Sequence, residues 1–205
     1  MSHYDVNIDC NTDTYLWDQL IQRGDRKVLK ALYCQYANLL YNYGMHITHH
    51  PDLVKDCIQD LFLDLLKNHQ NLSTTTSVKF YLYKALRRKI VYEEKKINRQ
   101  LTNFLPAEET ADGQLFYEFS DVTDKIDTSK KERILQLIQS LPKRQREVIQ
   151  LIFFENLSRE EIAEIMEIDT KSIYALTWKA IKSMRKDLLP QQIIIFLACL
   201  LLFFY

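Results

Sequence analysis

The chain has 205 residues, 47% of them hydrophobic and 26% charged, which excludes global disorder and supplies apolar mass for one ordinary domain or two small ones. Its 27 basic and 27 acidic residues cancel, so the total charge selects no class of partner. Three glycines and four prolines are too few for a turn-rich sheet protein and suit long helices, and no internal repeat or low-complexity tract is present.

In chain order, the opening MSHYDVNIDCNTD is polar and acidic and lacks the apolar run of a signal peptide. The four cysteines, Cys10, Cys34, Cys57 and Cys199, form no CxxC pair. Cys34 and Cys57 fall at apolar positions of helical patterns, so buried free thiols in a reducing cytosol are expected. Val28–Ile47 reads as a helix rich in Leu and Tyr. His46, His49 and His50 follow as HITHH. Their spacing resembles that of metal ligands, but no Cys or carboxylate cluster joins them, so a solvated helix end is expected and no metal.

Pro51 and Asp52 mark the next helix start. Apolar residues then recur at 53, 54, 57, 58, 61, 62, 65 and 66, an amphipathic stripe whose opposite face carries Asp56, Gln59, Asp60 and Asp64. Asn71 to Thr76 is a polar connector. Ser77 to Arg99 forms a third long helix that mixes aromatics with cations. Eight Lys and Arg against two Glu between 77 and 100 mark an interaction face. These segments predict a three- or four-helix domain over 1–100.

Residues 101–128 read as a linker, with seven acids against one Lys between 107 and 127 and a short helix around 115–119. Helical periodicity returns at Ile134, Leu135, Leu137, Ile138 and Leu141, and Pro142 restarts a helix through Val148, Ile149, Leu151 and Ile152. A second domain is expected over 129–189. Within it, Ser158 and Glu161 form a capping box for a helix whose apolar face is Ile162, Ala163, Ile165 and Met166. Asp169 offers a fresh N-cap for a helix from Thr170, with Ile173, Ala180, Ile181 and Met184 inward.

Two short helices joined by a tight turn make a helix-turn-helix unit, which lays its second helix in the DNA major groove. Its outward residues are Thr170, Lys171, Ser172, Tyr174 and Ala175, with Trp178 a further candidate. Hydroxyls and lysines there can bond bases or phosphates, and Lys179, Lys182, Arg185 and Lys186 can hold the backbone. A plain helical hairpin is the competing reading of this pattern alone.

The stretch LPKRQREVIQLIFFENLSREEIAEIMEIDTKSIYALTWKAIKSMRKDL resembles region 4 of the extracytoplasmic-function (ECF) sigma factors. In the first half, LYCQYANLLYNYG, DLVKDCIQDLFLDLLKN and VKFYLYKALRRKIVYEEKK resemble region 2 of the same family, in its order and spacing. The resemblance implies an all-α chain of two helical domains, with no catalytic residues and no cofactor, that binds core RNA polymerase and promoter DNA. It also admits an anti-sigma partner. It assigns Asp56, Gln59, Asp60 and Phe62 to the polymerase. Melted promoter DNA falls to Lys79, Tyr81, Lys84, Arg87, Arg88, Lys89, Tyr92, Lys95 and Lys96, and the upstream promoter element to the outward residues of the last helix.

Three positions depart from the family pattern. Glu167 sits in the turn where Gly or Asn relieves the backbone, and Thr177 stands where an aliphatic packs; both imply a strained or loosened unit. Tyr174 replaces a usual Lys or Arg, which takes a positive charge off the DNA face and implies weak or unusual upstream recognition.

The chain ends in thirteen apolar residues, Ile193 to Tyr205. A helix of that length spans about 20 Å, short of the ~30 Å hydrocarbon core. Packing on its own domains or docking into an anti-sigma partner ranks above a weak inner-membrane contact, because so large an apolar strip should not stay in water. No P-loop, dinucleotide fingerprint or catalytic triad pattern occurs, which argues against an enzyme. A stand-alone helix-turn-helix regulator and a membrane-associated adaptor without DNA binding are the alternatives.

Overall fold

A computed structural model describes residues 10–102 and 136–185. The expected linker from 103 onward, its short helix and the apolar tail lie outside the described residues. The chain divides into two compact units near residue 115, and all regular structure among the described residues is helical.

The first unit holds α1 (Cys10–Arg23), α2 (Arg26–Ile47), α3 (Pro51–Lys67), a 3-10 turn (His69–Asn71) and α4 (Val78–Thr102). Asp25 caps α2 by accepting from the Lys27 amide at 2.8 Å, and Pro51 opens α3 with its φ already helical. Ser77 Oγ accepts from the Phe80 amide at 3.1 Å and starts α4. Helices α2, α3 and α4 pack on one another around Leu32, Tyr36, Leu40, Val54, Ile58, Leu61, Leu82, Leu86 and Ile90. Gly44 lets α2 approach α3: a Cβ there would meet Val54 Cγ1 at 2.5 Å.

Helix α1 was not legible from periodicity. Its core-facing residues are Asp13, Trp17 and Leu20, and the Asp hides the apolar pattern. The buried Asp13 carboxylate is satisfied by Tyr36 Oη and by Gln35 Nε2, both on α2. Two expectations are corrected here. Of the two thiols expected to be buried, Cys57 is and Cys34 is exposed, because Leu32 and Tyr36 fill the core face of α2 and leave 34 outside. His46 is not solvated; it is 1% exposed, whereas His49 and His50 lie outside the core. No group of three or more His, Cys, Asp or Glu side chains is placed to hold a metal ion among the described residues.

The second unit holds a helical segment at 136–139, α5 (Lys143–Phe153), α6 (Arg159–Met166) and α7 (Thr170–Arg185). Its core includes Ile138, Leu141, Ile149, Ala180 and Met184, with Ile162, Ile165 and Ile173 also buried. Helix α5 is buried at every position from Arg146 to Ile152, polar residues included. Arg146 Nη2 donates to the Leu141 carbonyl at 3.2 Å and Gln150 Nε2 to Glu155 Oε1 at 3.3 Å. No helix among the described residues is long and apolar enough to cross a membrane.

Candidate polymerase and nucleic-acid interfaces

Helix α3 presents Asp56, Gln59 and Asp60 on its exposed face. Phe62 does not share that surface: it is 4% exposed and meets the Tyr33 ring edge-on, centroids 5.1 Å apart. A buried ring can shape the α2–α3 pair but cannot itself touch a partner. Tyr33, which packs on Phe62, and Leu63, next to it in sequence, are exposed. Asp64 is taken up within the chain by Lys89, at 2.6 Å. Cys57, beneath the acids, has its thiol pushed up to about 11, by burial first and by the Glu93 charge next; it stays protonated at neutral pH.

Helix α4 divides along its length. Its first half buries Val78, Leu82, Tyr83, Leu86 and Ile90. Tyr83 stacks on Tyr43 at 4.8 Å, and Tyr81 tilts against Trp17 at 4.8 Å. Burial raises the Tyr81 hydroxyl above its ordinary pKa, with Asp64 adding to the effect. Of the two candidate tyrosines, Tyr81 is therefore packed against the core, as is Tyr83 two positions on. Lys79 and Lys84 lie over the Tyr83 and Phe80 rings at 5.7 and 5.1 Å.

The second half of α4 is different. Arg88, Tyr92, Lys95, Lys96 and Arg99 are all exposed and fall on one stripe at helical spacing, with Arg87 and Lys84 partly buried beside it. Tyr92 is 65% exposed and lines a surface recess with Lys95, Lys96 and Arg99. Arg99 was absent from the expected set, although the 88–92–95–99 spacing points to it. Lys89 is committed to Asp64 and Lys96 meets Glu93 at 3.1 Å, so their charges are partly spent within the chain. Such exposed pairs are weak and open readily to a phosphate.

In the second unit the helix-turn-helix break is real. Ser158 Oγ accepts from the Glu161 amide at 3.2 Å while Glu161 Oε2 accepts from the Ser158 amide at 2.8 Å. Glu167 ends α6 in the left-handed region, φ 54° and ψ 49°, so the strain expected of a non-glycine at this turn is present. Asp169 starts α7 by accepting from the Ser172 amide at 2.7 Å and from Ser172 Oγ at 3.1 Å. The same two bonds hold its carboxyl below the ordinary aspartate value. Thr177 does not loosen the unit: its buried hydroxyl donates to the Ile173 carbonyl at 2.8 Å.

Along α7, Lys171, Tyr174, Ala175, Trp178, Lys179 and Lys182 are exposed and Thr170 is half-buried. Ser172 is also half-buried, and its hydroxyl is engaged by Asp169 rather than held ready for a base. Trp178 is 61% exposed and carries Lys182 Nζ at 4.8 Å from its ring centroid. The structure thus brings together a basic and aromatic face on α7, distinct from the acidic face of α3 and the basic stripe of α4.

A helical unit with a basic stripe and a helix-turn-helix unit in one chain define a class of DNA-directed transcription proteins. The chain matches the family described as Sigma-70 region 2 over residues 32–100 and that described as Sigma-70, region 4 over residues 131–184, together more than half its length. It is 26% identical over 164 residues to the RNA polymerase sigma factor YlaC of Bacillus subtilis, covering 80% of this chain and 93% of that one. It is 25% identical over 142 residues to RNA polymerase sigma factor SigZ of the same organism, covering 68% and 75%. Among solved structures it is similar to CnrH in complex with the cytosolic domain of CnrY, with a TM-score of 0.55 at 16% identity, covering 87% of this chain and 96% of that one. It is also similar to the sigma factor RpoE of Bartonella quintana in complex with the anti-sigma factor NepR, with a TM-score of 0.57 at 17% identity, covering 77% and 94%; both likenesses concern the fold. The chain belongs to the sigma-70 family, as an RNA polymerase sigma factor of the ECF type that directs promoter-specific transcription initiation.

Proposed function

We propose a division of labour between the two units: the first binds core polymerase through α3 and captures melted promoter DNA along α4, and the second reads the duplex of the upstream element with α7. The observation that carries this is the α4 stripe of Arg88, Tyr92, Lys95, Lys96 and Arg99. Cations follow the phosphates of a single strand, and an exposed ring stacks an unpaired base, at about 1–3 kcal/mol per base. That energy holds DNA open without nucleotide hydrolysis. Asp56, Gln59 and Asp60 form the polymerase-facing patch, where acids pair with basic residues of a partner surface and steer its approach. Phe62 fixes the seat of that patch from below.

The chain then acts as a non-catalytic, cytoplasmic initiation factor, and by analogy with the RpoE–NepR structure an anti-sigma protein is its natural regulator. The test is transcription from a promoter library with purified core polymerase. The proposal expects new start sites only when both chain and core enzyme are present. A stand-alone regulator would shift DNA without the core enzyme, and an adaptor would do neither; either result refutes the proposal.

A further inference from the structure

Tyr174 removes a cation that the family pattern places on the DNA face of α7, but a different helix supplies one at the same spot. Arg159, the first residue of α6, lays its guanidinium over the Tyr174 ring with Cζ 4.8 Å from the centroid. Its Nη1 also donates to the Tyr174 hydroxyl at 3.1 Å. The ring contact and the hydrogen bond together restrain a long, rotamer-rich side chain. Lys182 over Trp178 repeats the arrangement farther along α7. A cation in the first turn opposes the helix dipole, and the start of α6 already has Glu160, Glu161 and the capping box.

We infer that Arg159 contacts a backbone phosphate of the promoter duplex and that Tyr174 is the residue that positions it, so the charge of this interface has moved from α7 to the start of α6. The inference rests on the duplex-reading role proposed for the second unit. The first helix of a helix-turn-helix crosses the DNA backbone, which puts its opening residue beside phosphates rather than base edges. The planar fork of a guanidinium suits a phosphate. On this inference the face keeps a positive charge although Tyr174 brings none. What changes is its use: an Arg on α7 would read a guanine, whereas Arg159 adds affinity without sequence information.

The probe is the tightest-binding fragment that holoenzyme, assembled from the full chain and core polymerase, recovers from a random-sequence promoter library. Its affinity is measured over a series of KCl concentrations. Arg159→Ala and Arg159→Gln should each bind about tenfold more weakly. Each should also flatten the log–log salt slope by about 0.9, while the ranking of library sequences stays the same. Tyr174→Ala should reproduce most of that loss, the Arg159→Ala/Tyr174→Ala pair should be no worse than Arg159→Ala alone, and Tyr174→Phe should fall between. A purely structural role would lower the melting temperature and leave the salt slope alone. An unchanged slope in both Arg159 variants, or losses that simply add in the double variant, overturns the inference while leaving the duplex-reading role intact. A wild-type holoenzyme that recovers no fragment overturns both.

Discussion

Helix α4 and helix α7 each brace a core and present a basic surface, and they divide the two tasks differently. In α4 the division runs along the axis: the first half is pinned by Leu82, Tyr83, Leu86 and Ile90, and from 95 to 99 every residue is exposed. In α7 the division runs around the circumference, with Ile173, Thr177, Ala180 and Met184 buried along one side and Tyr174, Trp178 and Lys182 exposed on the other. Under the proposed division, the exposed half of α4 would give an extended strand a track to follow and a ring to stack on. A helix backed by a core on one side gives a duplex a stiff ridge sized for a groove. The aromatic rings follow the same division: α4 buries Tyr83 and half-buries Tyr81 in its first half and exposes Tyr92 in its second, whereas α7 exposes Tyr174 and Trp178 along one side and sets cations over both.

The largest effect expected is on the pinned half of α4. Leu86→Ala should cost about 2–5 kcal/mol, while Tyr92→Ala in the exposed half should stay within about 0.5 kcal/mol. Urea denaturation followed by Trp17 fluorescence, with Trp178 replaced by Phe, reads this directly, because Trp17 is fully buried and the chain has only one other tryptophan. Equal costs at the two sites would mean that α4 does not divide along its axis. Next in size, Asp56→Lys combined with Asp60→Lys should weaken binding to core polymerase by about tenfold or more. Titration of labelled core enzyme checks this, and an unchanged affinity would remove α3 from the polymerase interface.

In the second unit, Ser158→Ala should cost about 1 kcal/mol, since it breaks one half of the capping box. The smallest effect is on pH dependence. Asp169 has its pKa lowered by its bonds to Ser172, so its contribution is present above the ordinary aspartate range and lost as pH falls through its folded value. Acidification should therefore destabilise the wild type more than Asp169→Asn; parallel urea midpoints across acid pH would contradict that.

Most of the fold was legible because amphipathic stripes and capping residues act locally. The starts of α3, α6 and α7 fall where Pro51, Ser158 and Asp169 place them. What stayed hidden depends on partners distant in sequence. Asp13 reads as a solvated acid until Tyr36 and Gln35 of α2 are seen to satisfy it. Arg146, Glu147 and Gln150 carry no apolar signal, yet all are buried. The exposed positions Lys171, Tyr174, Ala175, Lys179 and Lys182 of α7 were named from sequence, but Arg159 was not, because only the fold brings it onto Tyr174, fifteen positions away.

The most direct test of the division between the two helices is permanganate footprinting of unpaired promoter thymines by reconstituted holoenzyme. The variants are Arg88, Lys95, Lys96 and Arg99 changed to Ala on α4, and Lys171, Lys179 and Lys182 changed to Ala on α7. The α4 variant should still protect the upstream duplex but lose thymine reactivity, and the α7 variant should lose upstream protection. Full thymine reactivity in an α4 variant that still binds core polymerase would show that its exposed half does not hold opened DNA.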